Sequence, residues 1–486
     1  MQWGNKGLVI ALTFVATLGG LLFGYDTAVI SGAVTSIDHN FIDPLGLPET
    51  SRDSLSGWTI SCALLGCVIG AALAGYIGTR LGRRGGLMVA AILFVVSSIG
   101  SALPEIGLGP IGGLGPEALT PFILYRILGG IGIGIASMLS PLYIAEIAPC
   151  EVRGKLVSFN QLAIVGGMVL VYFVNWAIAA QGDEAWLHDV GWRWMLGSAT
   201  IPAGIFLILL MFVPDTPRSL VMKGREAEAL ALLKRLETPE NCDSTLADIK
   251  RSLVSGAQPL LSFGWGVVII GILLSVFQQF VGINAVLYYA PLMFKNMGAS
   301  TDTALLQTII VGAANAIFTV VAILTVDRWG RRPLLIVGAA IMAVAMIALG
   351  SLFNSQQLGL GAIVAVVLYI GGFALSWGPV TWVLLSEMFP NSIKGKALAI
   401  AVAVQWIANL AVSWSFKVID GNSVLNAMFN HGFAYWVYGA MSVLAGFFVW
   451  KFVPETKGRT LESLESLWHR PGKAPPVAAR LGTQVD

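Results

Sequence analysis

Charge is what this sequence has least of. Only 12% of its 486 residues are Asp, Glu, Lys or Arg, where a soluble domain carries about 25% to keep its surface wetted. That shortage excludes an ordinary soluble globule, and with 56% hydrophobic residues most of the surface must face lipid. A net charge of +2 offers no basic surface for nucleic acid. The four cysteines do not form a disulfide framework: Cys62 and Cys67 share one apolar run, Cys150 adjoins a basic motif, and Cys242 lies in a polar loop. They read as reduced, structural thiols. His39, His188, His431 and His469 fall in predicted loops or the tail, so none reads as a proton relay. No motif supplies a nucleophile, metal ligands or a cofactor loop, which argues against an enzyme and against any metal or cofactor.

What is present is a series of long apolar runs. A bilayer core takes about 20 predominantly apolar residues per helix. Runs of that kind fall near 8–36, 57–79, 87–104, 120–143, 156–180 and 193–213, then near 264–294, 304–326, 334–353, 360–386, 396–416 and 433–453. The first is too long for a signal h-region and reads as a span. Six runs, a polar break and six more predict an all-α integral membrane protein. The halves are 1–213 and 263–455, joined by a linker over 214–262 and followed by a tail over 456–486. In the linker Glu226, Glu228, Lys234, Arg235 and Glu237 interleave with Ala and Leu, as in short amphipathic helices lying on a membrane face. Pro471, Pro475 and Pro476 mark the end of the tail as disordered.

Basic residues set the orientation. Arg80, Arg83, Arg84, Arg153, Lys155, Arg328, Arg331, Arg332, Lys394 and Lys396 follow the even-numbered runs, whereas 104–119 has no Lys or Arg, and 31–56 sets Arg52 among Asp38, Asp43, Glu49 and Asp53. Both termini and the linker are therefore expected in the cytoplasm, with the protein in a bacterial inner membrane. No obligatory protein partner is evident.

The basic loops also repeat. Arg80-Leu-Gly-Arg83-Arg84 returns as Arg328-Trp-Gly-Arg331-Arg332, 248 residues on, and Glu146-Ile-Ala-Pro149 returns as Glu387-Met-Phe-Pro390, 241 on. Gln161 and Gln405 lie 244 apart. Two parallel repeats of six helices place a substrate site between the halves and allow alternating access by rocking. Glu146 and Arg153, and Glu387 with Lys394, are spaced to pair with Arg83, Arg84, Arg331 and Arg332 as gates. Such pairs would lock one state and break when the basic end opens; alternatively they only set topology.

These motifs resemble the sugar porter family of the major facilitator superfamily, with bacterial D-xylose–proton symporters nearest and animal facilitative glucose carriers further off. The resemblance rests on Gly24-Tyr-Asp26-Thr-Ala-Val-Ile-Ser-Gly32, the arginine motifs, Arg126 with Gly129, Gly130, Gly132 and Gly134, Pro141 to Arg153, Gln278-Gln279-Phe-Val-Gly282-Ile-Asn284, and Pro454-Glu-Thr-Lys-Gly458. It implies the major facilitator fold, with a monosaccharide and a proton as partners beside the lipid bilayer.

A sugar presents hydroxyls, which suit neutral amides, and apolar ring faces, which suit aromatic side chains. Amides are costly in lipid and should face a cavity, although they can also serve only to join helices. Gln278, Gln279 and Asn284 share one run, with Gly282 as a local break and Tyr288 one turn on; Gly378-Pro379 predicts a second break before Trp382. The resemblance assigns sugar binding to Gln161, Gln278, Gln279, Asn284, Trp382, Gln405 and Trp406, and extends it to Phe23, Tyr288, Asn315 and Gly378. Asp26 is the one charge in a run of about 30 residues, and a lone intramembrane charge marks function. Arg126 is its natural partner. The resemblance makes Asp26 the proton site; a permanent structural pair is the alternative. Four residues depart from the family pattern: Met168 for a glutamine, Ala199 for an acid, Lys394 for an arginine and Ser219 for a tryptophan. Proton-coupled uptake of D-xylose or a related pentose or hexose is the leading expectation, with facilitative uniport as the alternative and a transporter-like sugar sensor as a remote one.

Overall fold

A bilayer leaves backbone N–H and C=O groups nothing to bond but one another, so a chain this apolar folds into helices. The computed structural model describes residues 5–149, 152–236, 239–254, 259–390 and 393–457. Twelve helices among them are long and apolar enough to cross a membrane. The first six are Lys6–Gly32, Glu49–Arg80, Gly82–Ala102, Gly115–Ile147, Leu156–Ala179 and Glu184–Phe212. The second six are Trp265–Asn296, Thr301–Val326, Arg331–Asn354, Leu360–Leu385, Lys396–Asp420 and Phe433–Phe452. They are called the first to twelfth spans below. Each matches one predicted run, but the first span stops at Gly32, and separate short turns carry the chain on to Leu45. The linker carries the helices Pro217–Met222, Glu226–Leu236 and Pro239–Val254. The expected disordered end of the tail lies outside the described residues. Cys62 and Cys67 are free thiols, and Cys150 is outside the described residues.

Within the first half the second and fourth spans meet backbone to backbone. A Cβ on Gly130 would collide with the carbonyl oxygen of Ala63, and one on Gly66 with that of Ile127. Small residues let membrane helices meet backbone to backbone, where close packing replaces the hydrophobic drive that lipid does not supply. Between the halves the second span packs on the eleventh and the fifth on the eighth. Tyr172 of the fifth span donates its hydroxyl to the Leu287 carbonyl of the seventh at 3.0 Å. At the end opposite the arginine motifs, Trp414 Nε1 donates to the Ser54 carbonyl at 3.0 Å. These contacts join the two halves and position the polar groups described next.

Candidate functional site

The seventh span is broken. Its first helix ends at Phe280, Gly282 takes a left-handed φ of +92°, and a second helix begins at Ile283. A side chain at Gly282 would be strained by that φ and would meet the Tyr438 ring. Just before the break, Gln278 Nε2 donates to the Trp377 carbonyl at 2.9 Å and to that of Gly378 at 3.3 Å. Gln279 Nε2 donates to Gln278 Oε1 at 3.4 Å, and Asn284 Nδ2, from beyond the break, donates to Gln279 Oε1 at 2.6 Å. Four of the expected residues thus form one chain of amides and carbonyls between the seventh and tenth spans.

The tenth span breaks as well, at Ser376 (φ −132°, ψ −85°), two residues before the Gly378-Pro379 position expected for it. Pro379 falls in the first turn of the helix Trp377–Met388, where its missing N–H costs no hydrogen bond. Gln278 thus adds a side-chain donor to two carbonyls in the first turn of the helix that follows the break.

The structure also pairs the Phe23 and Trp406 rings, tilted with centroids 5.4 Å apart across the two halves. Asn409 Nδ2 donates to the Tyr288 hydroxyl at 3.4 Å; Asn409 was not singled out from sequence. Gln161, Asn315, Trp382 and Gln405 lie on the fifth, eighth, tenth and eleventh spans. No hydrogen bond among the described residues joins them to the amide chain. Gln161 and Trp382 are half-buried, and Asn315 and Gln405 are buried, with Gln405 Oε1 lacking a protein partner. Met168 and Ala199 are both buried.

Asp26 and Arg126 meet inside the first half. Arg126 Nη1 lies 3.2 Å from Asp26 Oδ1, and Nη2 donates to the Asp26 carbonyl at 3.4 Å. The residues are 3% and 2% exposed, so water screens the pair little. Asp26 Oδ2 and Arg126 Nε have no protein partner. Gly129 leaves the space beside them: a Cβ there would press on Ser97 Oγ and come within 3.3 Å of Asp26 Oδ2.

The arginine motifs form two nearly matching clusters. Arg83 Nε and Nη2 lie 3.2 and 3.0 Å from Glu146 Oε1, and Thr216 donates its hydroxyl to Glu146 Oε2. Arg331 Nε and Nη2 lie 3.1 and 2.8 Å from the Glu387 carboxylate, to which the Thr456 hydroxyl also donates. Arg84 and Arg332 do not reach the glutamates as expected. Arg84 donates to the Leu210 and Met211 carbonyls and Arg332 to that of Trp450, the carbonyl-rich helix ends that attract a cation. Asp215 accepts from the backbone N–H of Arg83 and Arg84, and Glu455 from those of Arg331 and Arg332. Burial raises the Asp215 pKa, but hydrogen bonds from Lys223 and Ser219 and from the Arg84 and Thr216 backbone outweigh it and hold the carboxyl below its usual value. Burial lowers the Lys394 pKa against the pull of Glu387. The Arg153 side chain lies outside the described residues. Each described glutamate–arginine pair falls within one half and is formed while the opposite ends of the halves are joined. Opening between the halves therefore does not of itself break it. The recurrence of Pro-Asp-Thr at 214–216 as Pro-Glu-Thr at 454–456 was the available signal for the clusters' carboxylates and hydroxyls.

The family model described as "Sugar (and other) transporter" matches residues 12–468. The D-xylose-proton symporter of Escherichia coli K12 is 54% identical over 98% of this chain and 99% of its own length. The glucose facilitated diffusion protein of Zymomonas mobilis is 49% identical over 96% of this chain and 98% of its own. Among solved structures, the partially occluded, inward-open xylose transporter XylE from E. coli aligns with a TM-score of 0.86 at 52% identity, covering 94% of this chain and all of that one.

Proposed function

We propose, for a chain that belongs to the sugar transporter family, that it takes up a monosaccharide together with a proton by alternating access. D-xylose or a related pentose or hexose is the cargo. The halves 1–213 and 263–455 rock about the linker 214–262, with the tail 456–486 on the same side. The protein is oriented in a bacterial inner membrane with both termini and the basic loops in the cytoplasm, following the bias of Lys and Arg.

Sugar hydroxyls bond to Gln278, Gln279, Asn284, Gln161 and Gln405, while Trp382, Trp406 and Phe23 cover the ring faces. Tyr288, Asn315 and Gly378 complete the site. The amide chain at two broken helices supports this reading, because broken helices in carriers of this kind free backbone groups for the substrate. The clusters around Arg83, Arg84, Glu146 and Arg153 and around Arg331, Arg332, Glu387 and Lys394 serve gating by holding each half rigid at its cytoplasmic end.

The observation that carries proton coupling is the buried Asp26–Arg126 pair. A carboxyl inside the bundle marks function, and this one is held by Arg126 through one oxygen and open on the other. Asp26 Oδ2, unpartnered, is the atom that accepts the proton. Coupling is tested in proteoliposomes under an imposed pH gradient, where one unit supports roughly tenfold accumulation for a one-proton carrier. Accumulation of D-xylose or another labelled pentose or hexose supports symport. Equilibration without accumulation gives facilitated diffusion, the second reading, which the 49% identical glucose facilitator favours.

A further inference from the structure

The two halves meet at the outer end through a buried charge pair that the sequence did not reveal. Asp38 follows the first span, and Lys417 lies one turn from the end of the eleventh, 379 residues on. Lys417 Nζ lies 2.9 Å from Asp38 Oδ2, with the two residues 8% and 7% exposed. Ser56 of the second span donates its hydroxyl to Asp38 Oδ1 at 2.5 Å, so both carboxylate oxygens have a donor. The Trp414–Ser54 bond lies nearby, with Trp414 one turn before Lys417 on the eleventh span and Ser54 two residues before Ser56 on the second. Gly57 sits under Trp414 so closely that a Cβ there would collide with it. The surrounding charges are Asp53, whose carboxylate closes over Gly421, Arg52, 3.7 Å from Asp53, and Asp420, which is held by His431 and Asn296. Unlike the arginine–glutamate pairs of the inner end, this one spans the boundary between the halves.

We propose that Lys417 and Asp38 are the outer lock of the transport cycle, the contact that must separate for the cavity to face outward. Closed, each charge neutralises the other where water screens little. With one partner removed, the remaining charge is buried without compensation, and opening to water relieves it. The lock therefore favours the closed outer end only while both charges are present. It rests on the alternating-access reading but on neither the sugar nor the proton.

The test is a distance distribution by spin labelling of the full chain in nanodiscs, without sugar or pH gradient. Labels go on Leu45→Cys and Val424→Cys, exposed at 42% and 65% on the outer ends of the two halves. In Lys417→Met the long-distance population should rise at least about tenfold relative to the short one. Lys417→Arg should leave it near wild type, and the exchange Asp38→Lys with Lys417→Asp should restore the short distance. If Lys417→Met does not insert, Asp38→Asn, which keeps the size of the side chain, gives the same reading. An unchanged distribution in the neutral variants overturns the lock, as does an exchanged pair that opens as far as Lys417→Met does. Because the readout needs no transport, failure of the lock is distinguishable from failure of the carrier reading.

Discussion

The first six spans keep a carboxyl against a guanidinium in their interior, Asp26 beside Arg126, whereas the last six keep a chain of neutral amides, Gln278, Gln279 and Asn284. A duplicated architecture has diverged in its chemistry while keeping its braces: the clusters around Arg83 and Arg331 match almost atom for atom. In the proposed reading the proton site lies in the first half, and most of the sugar's hydroxyl partners lie in the second. One holds the group that can change charge, the other holds groups that bond hydroxyls at any pH. A carrier that couples two cargoes needs both kinds of site, and separate helices let each be tuned without disturbing the other.

The sharpest way to break this comparison is to remove the charge from the first half alone. Asp26→Asn is expected to abolish accumulation driven by a pH gradient while sugar binding and counterflow persist, since the amide mimics the protonated acid and can accept a bond from Arg126. Flux assays with labelled D-xylose check it. Loss of binding together with loss of accumulation would mean that the two halves do not work separately. In the other half, Gln278→Ala removes a proposed sugar ligand and the side-chain donor to the Trp377 and Gly378 carbonyls. A hydrogen bond contributes about 0.5–1.5 kcal/mol net, so affinity in calorimetry should fall roughly twofold to tenfold, with pH-gradient dependence intact in whatever flux remains.

The braces offer a finer contrast. The Arg83–Glu146 side chains are each 8% exposed, whereas Glu387 is 25% exposed beside Arg331 at 11%. Breaking a buried pair costs about 3–5 kcal/mol and an exposed pair little. Glu146→Gln should therefore lower the unfolding temperature in detergent more than Glu387→Gln does. The smallest effect concerns His431, whose pKa is raised by its hydrogen bond to Asp420. That bond stabilises the fold fully below about pH 6.5, the ordinary histidine value, and the contribution fades as pH rises through the raised native value. Thermal unfolding of His431→Gln against wild type should differ at pH 5.5 and converge at alkaline pH.

The sequence made the spans readable because about 20 apolar residues have few options in lipid. Gly282 was readable as a break because it is the glycine that falls among the clustered amides of that run, and glycine tolerates a left-handed backbone. The break at Ser376 was not, since Gly378-Pro379 is the louder signal, yet proline is at home in a first helical turn. The Glu146 and Glu387 partners were visible as a repeat, but which arginine each would meet was not. That depends on guanidinium reach and on the carbonyl-rich ends that draw Arg84 and Arg332 away. Asp38 and Lys417 were beyond sequence reasoning, because nothing local to either names a partner 379 residues away.

The amide chain of the seventh and tenth spans has a thermodynamic consequence. Gln278, Gln279 and Asn284 already bond to one another and to Trp377 and Gly378. As the proposed sugar site, this amide chain would have each arriving hydroxyl exchange an existing bond for a new one and add few to the total, so the net gain from each is small. Such a site recognises its cargo by geometry while gripping it loosely, and cargo that is loosely gripped can leave on the far side within one turnover.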